Sequence, residues 1–552
     1  MRTPAEIDAC RQDLRDRFPH WQPRTLAGWL DECAQRYESR PFVITDDHTL
    51  SYADVAEQSR RIAAGLVALG VQPGDRVGMV MANYPEFVTA KFAIARAGAI
   101  AVPFNYLYQA TELGFVLADS GCRVLITMTG LGALDYQGML DQIAPQWDSP
   151  GFAHRSADAV PELRHVVLLD TGAGARPGVR TIADLAATAG EAPDLDVAPD
   201  AAGDMLYTSG TTGSPKGVLV AHDSVLRTGY ASALTRGFQD GRRILFSLPC
   251  YHMFGYVEGI LAAMFVGGAV IPQPAFSAEG YFAGIERHRA TDILCVPTMA
   301  VAMVESETRG DYDLSSLTAM LCGSAPAPIW LWEQVRAEFG VDEIVTGYGM
   351  TECGGAMTLT LPEDPLHLTS ETVGRPKLAG AVSVPGTDAL VVYDTVDGEL
   401  VSRGPATMLG YWNRPAETAA ALRDGWLFSG DLGTVRADGY LQVTGRSKEL
   451  YKSGGELVMP REIEELLAAH PAISQVFAFG VTDERWGEIG CVAVVLAPGA
   501  TLSEDEVLDH CRGNLARFKV PKRVVFYDAD ALPTTPTGKV QKFRLAEELS
   551  TR

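Results

Sequence analysis

The residues 208–217, Thr208-Ser209-Gly210-Thr211-Thr212-Gly213-Ser214-Pro215-Lys216-Gly217, set hydroxyl side chains among glycines and close on one lysine. Glycine lets the backbone come close to a ligand, and hydroxyls and bare N–H groups donate hydrogen bonds. A loop built this way suits the oxygens of a polyphosphate, with Lys216 as a point charge. It is not a Walker A loop. Counted from Gly210, that motif needs glycine where Pro215 stands, and no helix opens after the lysine. A flexible linker has a similar composition. Against that, apolar runs at 205–207 and 218–220 lie tight on both sides, which reads as a loop between two strands.

Other stretches carry chemistry of their own. In Gly347-Tyr348-Gly349-Met350-Thr351-Glu352, glycines bracket an aromatic ring that can stack on a base, and a hydroxyl stands beside a carboxylate. That last pair suits a phosphate and its Mg²⁺, which prefers oxygen ligands shared with phosphates. The plainer alternative is a strand-to-loop turn with a surface glutamate. In Phe428-Ser429-Gly430-Asp431-Leu432 the aspartate after glycine is, taken alone, a turn residue. Lys539 ends Pro533-Thr534-Thr535-Pro536-Thr537-Gly538, a setting that pins a loop tip. With an ordinary pKa of about 10.4 this lysine acts as a charge clamp and not as a base. His252 lies in the apolar Leu248-Pro249-Cys250-Tyr251-His252-Met253-Phe254-Gly255, where a satisfied core histidine is the alternative.

Taken together and in this order, these segments resemble the adenylate-forming enzymes: acyl-CoA synthetases, amino-acid adenylation domains and beetle luciferases. The resemblance runs over nearly the whole chain. It implies that Thr208, Ser209, Gly210, Thr211, Thr212, Gly213 and Lys216 cradle ATP phosphates. It further implies that Tyr348, beside Gly347, stacks on adenine, that Thr351 touches the α-phosphate and that Glu352 holds Mg²⁺. Ser324, Ala325 and Pro326, in Cys322-Gly323-Ser324-Ala325-Pro326, resemble the family's small-residue wall of the adenine and acyl pockets; many members have a second glycine where Ser324 stands. Asp431 matches the ribose aspartate, Arg446 the residue reaching ribose or phosphate, and Lys448 the hinge about which a C-terminal cap rotates. The loop with Gly454 and Gly455 resembles the lining of the thiol tunnel, Lys539 the catalytic lysine and His252 the aromatic gate at the acyl pocket.

The activity so implied is a two-step ligation: ATP adenylates a carboxylic acid of fatty or aryl type, and a thiol, CoA first among the options, displaces AMP. An acyl carrier protein, an amine or another nucleophile as acceptor stays open, as does an anion other than a carboxylate. A non-catalytic nucleotide-binding scaffold is the reading from another class, and the intact Lys216, Glu352, Asp431 and Lys539 argue against it. In amino-acid adenylation domains an acid near the histidine pairs with the substrate ammonium. Here the first acid after His252 is Glu258, which favours a substrate without an amino group. Arg517, Lys519, Lys522 and Arg523 either meet CoA phosphates or form a solvated face.

The elements that must position these groups follow from pattern and composition. With 552 residues the chain is too long for one core. Ser51 and Asp54 form a capping-box pattern for a helix over 51–70, followed by strand, helix and strand at 76–81, 85–97 and 100–103. Such alternation predicts parallel sheet. Residues 136–161 and the Gly-rich 170–179 read as irregular insertions. From about 382 to 432 short strands predict a β-rich subdomain, with an Asp438-Gly439 hairpin turn after it. Beyond 445 lies a compact unit with helices opening at Pro460 and at Ser503, the latter with Glu506 as its capping partner, and strands at 475–481 and 491–496. The expected fold class is α/β: a large N-terminal domain over 1–447, made of α/β subdomains and a small β-rich one, and a small mobile α+β cap over 448–552.

Net charge is −23, which argues against nucleic acid or an anionic membrane as a main partner. Nine scattered cysteines without a C-x-x-C pair suggest reduced thiols and no metal site among them. The polar N-terminus lacks an apolar signal core, and the most apolar stretch, 255–272, carries Glu258 and glycines, so a buried element is expected in place of a membrane segment. A cytoplasmic protein is the expectation; the oligomeric state is open, a homodimer among the options.

Overall fold

The structure, a computed structural model, describes residues 2–550 except 155–156, 189, 191–194, 209–214, 326, 447–448, 454–455, 484–486, 516 and 536–538. Ser51 caps the helix Tyr52–Ala68 in a reciprocal bond with Asp54, as the sequence predicts. The strands Arg76–Val80, Ile100–Phe104 and Val124–Met128 pair in parallel and are buried along almost their whole length. Such continuous apolar strands require helical cover: Pro85–Arg96 and Ala110–Ser120 pack on Ile100–Phe104, and Tyr52–Ala68 packs in turn on Pro85–Arg96. This sheet continues through Ala202–Thr208 to the antiparallel Lys216–Ala221 and Gly410–Tyr411.

A second, mostly parallel sheet has the order Glu343–Val345, Ala319–Cys322, Asp292–Cys295, Arg243–Phe246, Ala269–Pro272, Pro41–Ile44 and Thr49–Ser51. Against its inner strands Arg243–Phe246 and Ala269–Pro272 packs Phe254–Leu261, a π-helix, buried apart from its first residue. It approaches the preceding chain closely: a Cβ at Gly255 would stand 2.8 Å from the Leu248 carbonyl oxygen, so only glycine fits. The 255–272 stretch is thus a buried element, as expected. No helix among the described residues is long and apolar enough to cross a membrane. All nine cysteines are free.

The β-rich subdomain is a sheet of Val392–Val396, Glu399–Arg403, Trp426–Val435, Leu422–Arg423 and Leu441–Arg446. Its turn forms at Asp438-Gly439, with Gly439 at φ 83°. One expectation needs correction. Residues 136–161 are not wholly irregular: Asp135 caps the helix Tyr136–Ile143, whose apolar Tyr136, Met139, Leu140 and Ile143 recur at helical spacing on one buried face.

The C-terminal unit has its own cores. Ile473–Asp483 pairs antiparallel with Gly487–Leu496, which pairs parallel with Arg523–Phe526. Alternation along these strands sends Val476, Ala478, Val492 and Val494 against the helices Pro460–Ala468 and Glu504–Asn514. Phe479, Val481, Cys491 and Ala493 face Lys542–Ser550 on the other side.

Candidate active site

The strands Ala202–Thr208 and Lys216–Ala221 pair antiparallel with Thr208 opposite Lys216, so the two residues that flank the polar segment are cross-strand neighbours. Its members Ser209, Gly210, Thr211, Thr212 and Gly213 lie outside the described residues, as do Pro326, Lys448, Gly454 and Gly455. The Lys216 ammonium sits over the Tyr411 ring, 5.2 Å from its centre. Tyr411 belongs to Gly410–Tyr411, which is laid beside Lys216–Ala221 by backbone bonds from Leu409 N–H to Leu219 (2.9 Å) and from Trp412 N–H to Gly217 (2.7 Å).

The Tyr411 hydroxyl donates to Oε1 of Glu352 at 2.9 Å. Glu352 is buried in the turn Thr351–Cys353, and its carbonyl accepts from Met408 N–H at 2.7 Å. Burial, with the Glu352 charge second, pushes the Tyr411 phenol well above its ordinary pKa. Tyr411 was not legible as a site residue: Gly410-Tyr411-Trp412-Asn413-Arg414-Pro415 carries turn residues and a charge but no chemical pattern.

Tyr348 lies on Gly347–Met350, and its hydroxyl donates to Oδ2 of Asp431 at 2.5 Å. The bracketing glycines have a packing reason. A Cβ at Gly349 would stand 2.2 Å from the Gly355 carbonyl oxygen, and one at Gly347 2.4 Å from that of Thr358. The space a side chain would fill is taken by the neighbouring strand Gly355–Leu359. Asp431 is buried on Trp426–Val435, just after Gly430 at φ 75°, and Arg446 is its cross-strand partner.

His252 precedes the π-helix, and its Nδ1 accepts from Phe254 N–H at 3.2 Å, which leaves the proton of the neutral ring on Nε2. Burial first, and the positive charge of Lys539 second, hold its pKa down to about 4. Lys539 itself is exposed on the C-terminal unit. Its loop is closed by bonds between the Lys539 and Thr535 main chains, from Thr535 N–H to Lys539 at 2.7 Å, and by Lys539 N–H donating to Thr535 Oγ1 at 3.1 Å. Gly323 stands against the Phe254 ring, where a Cβ would meet ring carbons at 3.3 Å and 3.4 Å. Ser324 and Ala325 are exposed, and Ser324 holds φ 74°.

Glu258 is consumed internally. Its Oε1 pairs with Lys377 Nζ at 2.7 Å and accepts from Ala356 N–H at 3.2 Å, and its Oε2 accepts from the Ser232 hydroxyl. Two of the basic cap residues are also engaged within the cap: Lys519 pairs with Glu462, and Arg523 donates to the Leu549 carbonyl at 3.1 Å.

Residues 30–412 match the family described as AMP-binding enzyme, and 462–539 match its C-terminal domain. The chain belongs to the AMP-binding enzyme family. Over 538 residues it is 36% identical to a (7a-methyl-1,5-dioxo-octahydro-inden-4-yl)propanoyl:CoA ligase of Mycobacterium tuberculosis, covering 95% of this chain and 99% of the relative. It is also 36% identical to a feruloyl-CoA synthase of an Amycolatopsis species, over 89% of this chain and 92% of that one. A crystal structure of the anthranilate CoA ligase AuaEII with anthranoyl-AMP superposes with a TM-score of 0.81 at 25% identity, covering 95% and 97% of the two chains. The protein is an ATP-dependent, AMP-forming acid–thiol ligase with the expected α/β body and small C-terminal domain.

Proposed function

We propose that this chain joins an apolar carboxylic acid to CoA through an acyl-adenylate, with the site residues in the roles that follow. The observation that carries the reading is the chain of contacts Glu352–Tyr411–Lys216, with Tyr348 bonded to Asp431 and the Lys539 charge acting on His252.

In the first step a carboxylate oxygen attacks the α-phosphorus of ATP; the new O–P bond forms as the bond to pyrophosphate breaks. Residues 208–213 and Lys216 hold the departing phosphates. Thr351 donates to an α-phosphate oxygen, Tyr348 lies on adenine, and Asp431 with Arg446 holds the ribose. The donor set around Glu352 fits Mg²⁺: one buried carboxylate beside a threonine hydroxyl, with no group of three or more acidic, His or Cys ligands among the described residues. An ion that keeps waters and shares phosphate oxygens needs no more protein than this, and when bound it neutralises phosphate charge. The Lys539 ammonium bridges the attacking carboxylate and the α-phosphate as charge builds. His252, kept neutral, walls the acyl pocket.

In the second step the cap turns about Lys448, at the boundary between 1–447 and 448–552. Lys539 withdraws and the Gly454-Gly455 loop arrives. The CoA sulfur attacks the carbonyl carbon, the bond to AMP breaks, and the thiol proton leaves to solvent. Because Glu258 is already paired with Lys377, no carboxylate from that segment awaits an ammonium. Phe254 facing Gly323 offers an apolar wall for a ring or chain. The acyl groups named for the feruloyl-CoA synthase and the bicyclic propanoyl:CoA ligase carry rings, which supports a cyclic or aromatic acid.

Replacing Lys539 by alanine tests the reading. Pyrophosphate release should fall by about 10²–10³, while ATP binding stays measurable and supplied acyl-adenylate still yields thioester. Unchanged pyrophosphate release would remove Lys539 from the chemistry.

A further inference from the structure

Tyr411 touches both groups assigned to the triphosphate and its ion. Its hydroxyl holds Oε1 of Glu352, and its ring carries the Lys216 ammonium. Its backbone is fixed independently of either contact: Tyr411 N–H donates to Thr418 Oγ1 at 2.9 Å, and its neighbours Leu409 and Trp412 are bonded to Leu219 and Gly217. A Cβ at Gly410, φ 148°, would stand 2.9 Å from Thr418 Cγ2, so the turn is packed tight just ahead of the tyrosine. The side chain is therefore a fixed strut between two groups that belong to different elements, the turn Thr351–Cys353 and the strand Lys216–Ala221.

Each contact has a distinct chemical effect. A hydrogen bond to one carboxylate oxygen fixes the rotation of the carboxylate and aims the other oxygen, as outer partners do for metal ligands. A cation over an aromatic face is held in place without neutralising its charge, so it stays available to phosphate. Phenylalanine would keep the second effect and lose the first.

Resting on the assignment of Glu352 and Lys216 above, we propose that Tyr411 is a positioning residue that presets both for the magnesium–triphosphate complex. The hydroxyl governs how well Mg²⁺ strengthens ATP binding. The ring governs how well ATP binds when no divalent ion is present.

The test is equilibrium binding of ATP to the full chain by calorimetry, with no acid added, first in EDTA and then across a magnesium titration. For Tyr411→Phe, ATP affinity in EDTA should stay within about twofold of the parent, while the magnesium giving half of the affinity gain rises about tenfold or more. For Tyr411→Leu the same magnesium shift should appear together with an affinity about fivefold weaker in EDTA. Glu352→Gln is the control. If it shifts the magnesium dependence and Tyr411→Phe does not, the role of Tyr411 is overturned while that of Glu352 stands. If Glu352→Gln itself leaves the magnesium dependence at the parent value, the Glu352 assignment fails and takes the tyrosine's role with it. Equal affinities in EDTA for the Phe and Leu variants would overturn the ring's part.

Discussion

The Tyr348 hydroxyl donates to Oδ2 of Asp431 at 2.5 Å, a bond between residues 83 positions apart in the chain. It ties the strand Gly347–Met350 to the β-rich subdomain at the point where base and ribose are assigned. A hydrogen bond to a charged group contributes about 1.5–3 kcal/mol. Tyr348→Phe should therefore weaken ATP binding by about tenfold or more while keeping the ring. The ATP KM in a pyrophosphate-release assay reads this directly, and an unchanged KM would show that the bond does not organise the nucleotide site.

A buried ion pair supports the strand that leads into the phosphate loop. Lys91, 3% exposed at its side chain, pairs with the fully buried Asp204, whose Oδ2 accepts from the Tyr256 hydroxyl at 3.2 Å. Removing one partner strands the other charge. Lys91→Ala should cost about 3–5 kcal/mol, and the apolar double replacement Lys91→Met with Asp204→Leu should restore much of it. Urea unfolding followed on the body's fluorescence separates the cases; a loss no larger than the roughly 0.5 kcal/mol of a surface substitution would contradict the assignment.

Histidine burial sets an acid limb on stability. His222 is 1% exposed, its Nδ1 lacks a hydrogen-bond partner, and burial holds its pKa down to about 4. The folded pKa lies below the unfolded one, so the unfolded chain takes up the proton first as pH falls. This contribution is complete above about pH 6.5 and is lost toward about pH 4, for a total of roughly 3 kcal/mol. His222→Gln should flatten the fall in denaturation midpoint across that window. An equally steep fall in the variant would place the titration elsewhere.

Ser324 holds φ 74°, a conformation that favours glycine. Ser324→Gly should raise stability by about 0.5–1 kcal/mol through relief of backbone strain, less the greater entropy glycine has when unfolded. A lower urea midpoint would show that the hydroxyl repays the strain with a contact.

This serine also shows where sequence was informative. Its departure from a Gly-Gly pattern was legible, but the φ angle that makes it costly was not. Strands and helices were readable where one periodicity dominated, as in the capped helix Tyr52–Ala68 and the buried run Ile100–Phe104. The helix Tyr136–Ile143 was missed because it is short and set among turn residues. Site residues with charge or flanking glycines stood out. Tyr411 did not, since its meaning comes from reaching Glu352 across 59 positions, and such a pairing depends on how the sheet is ordered. The pairing of Glu258 with Lys377, across 119 positions, was hidden for the same reason.

The most direct measurement is ATP-dependent pyrophosphate release across a panel of fatty acids, benzoates, cinnamates, ring-bearing propanoates and amino acids, each with and without CoA. The expected result is release with a ring-bearing or other apolar acid, together with AMP and thioester that appear only when CoA is present. Release confined to amino acids, or release with no thioester from CoA under any condition, would contradict it.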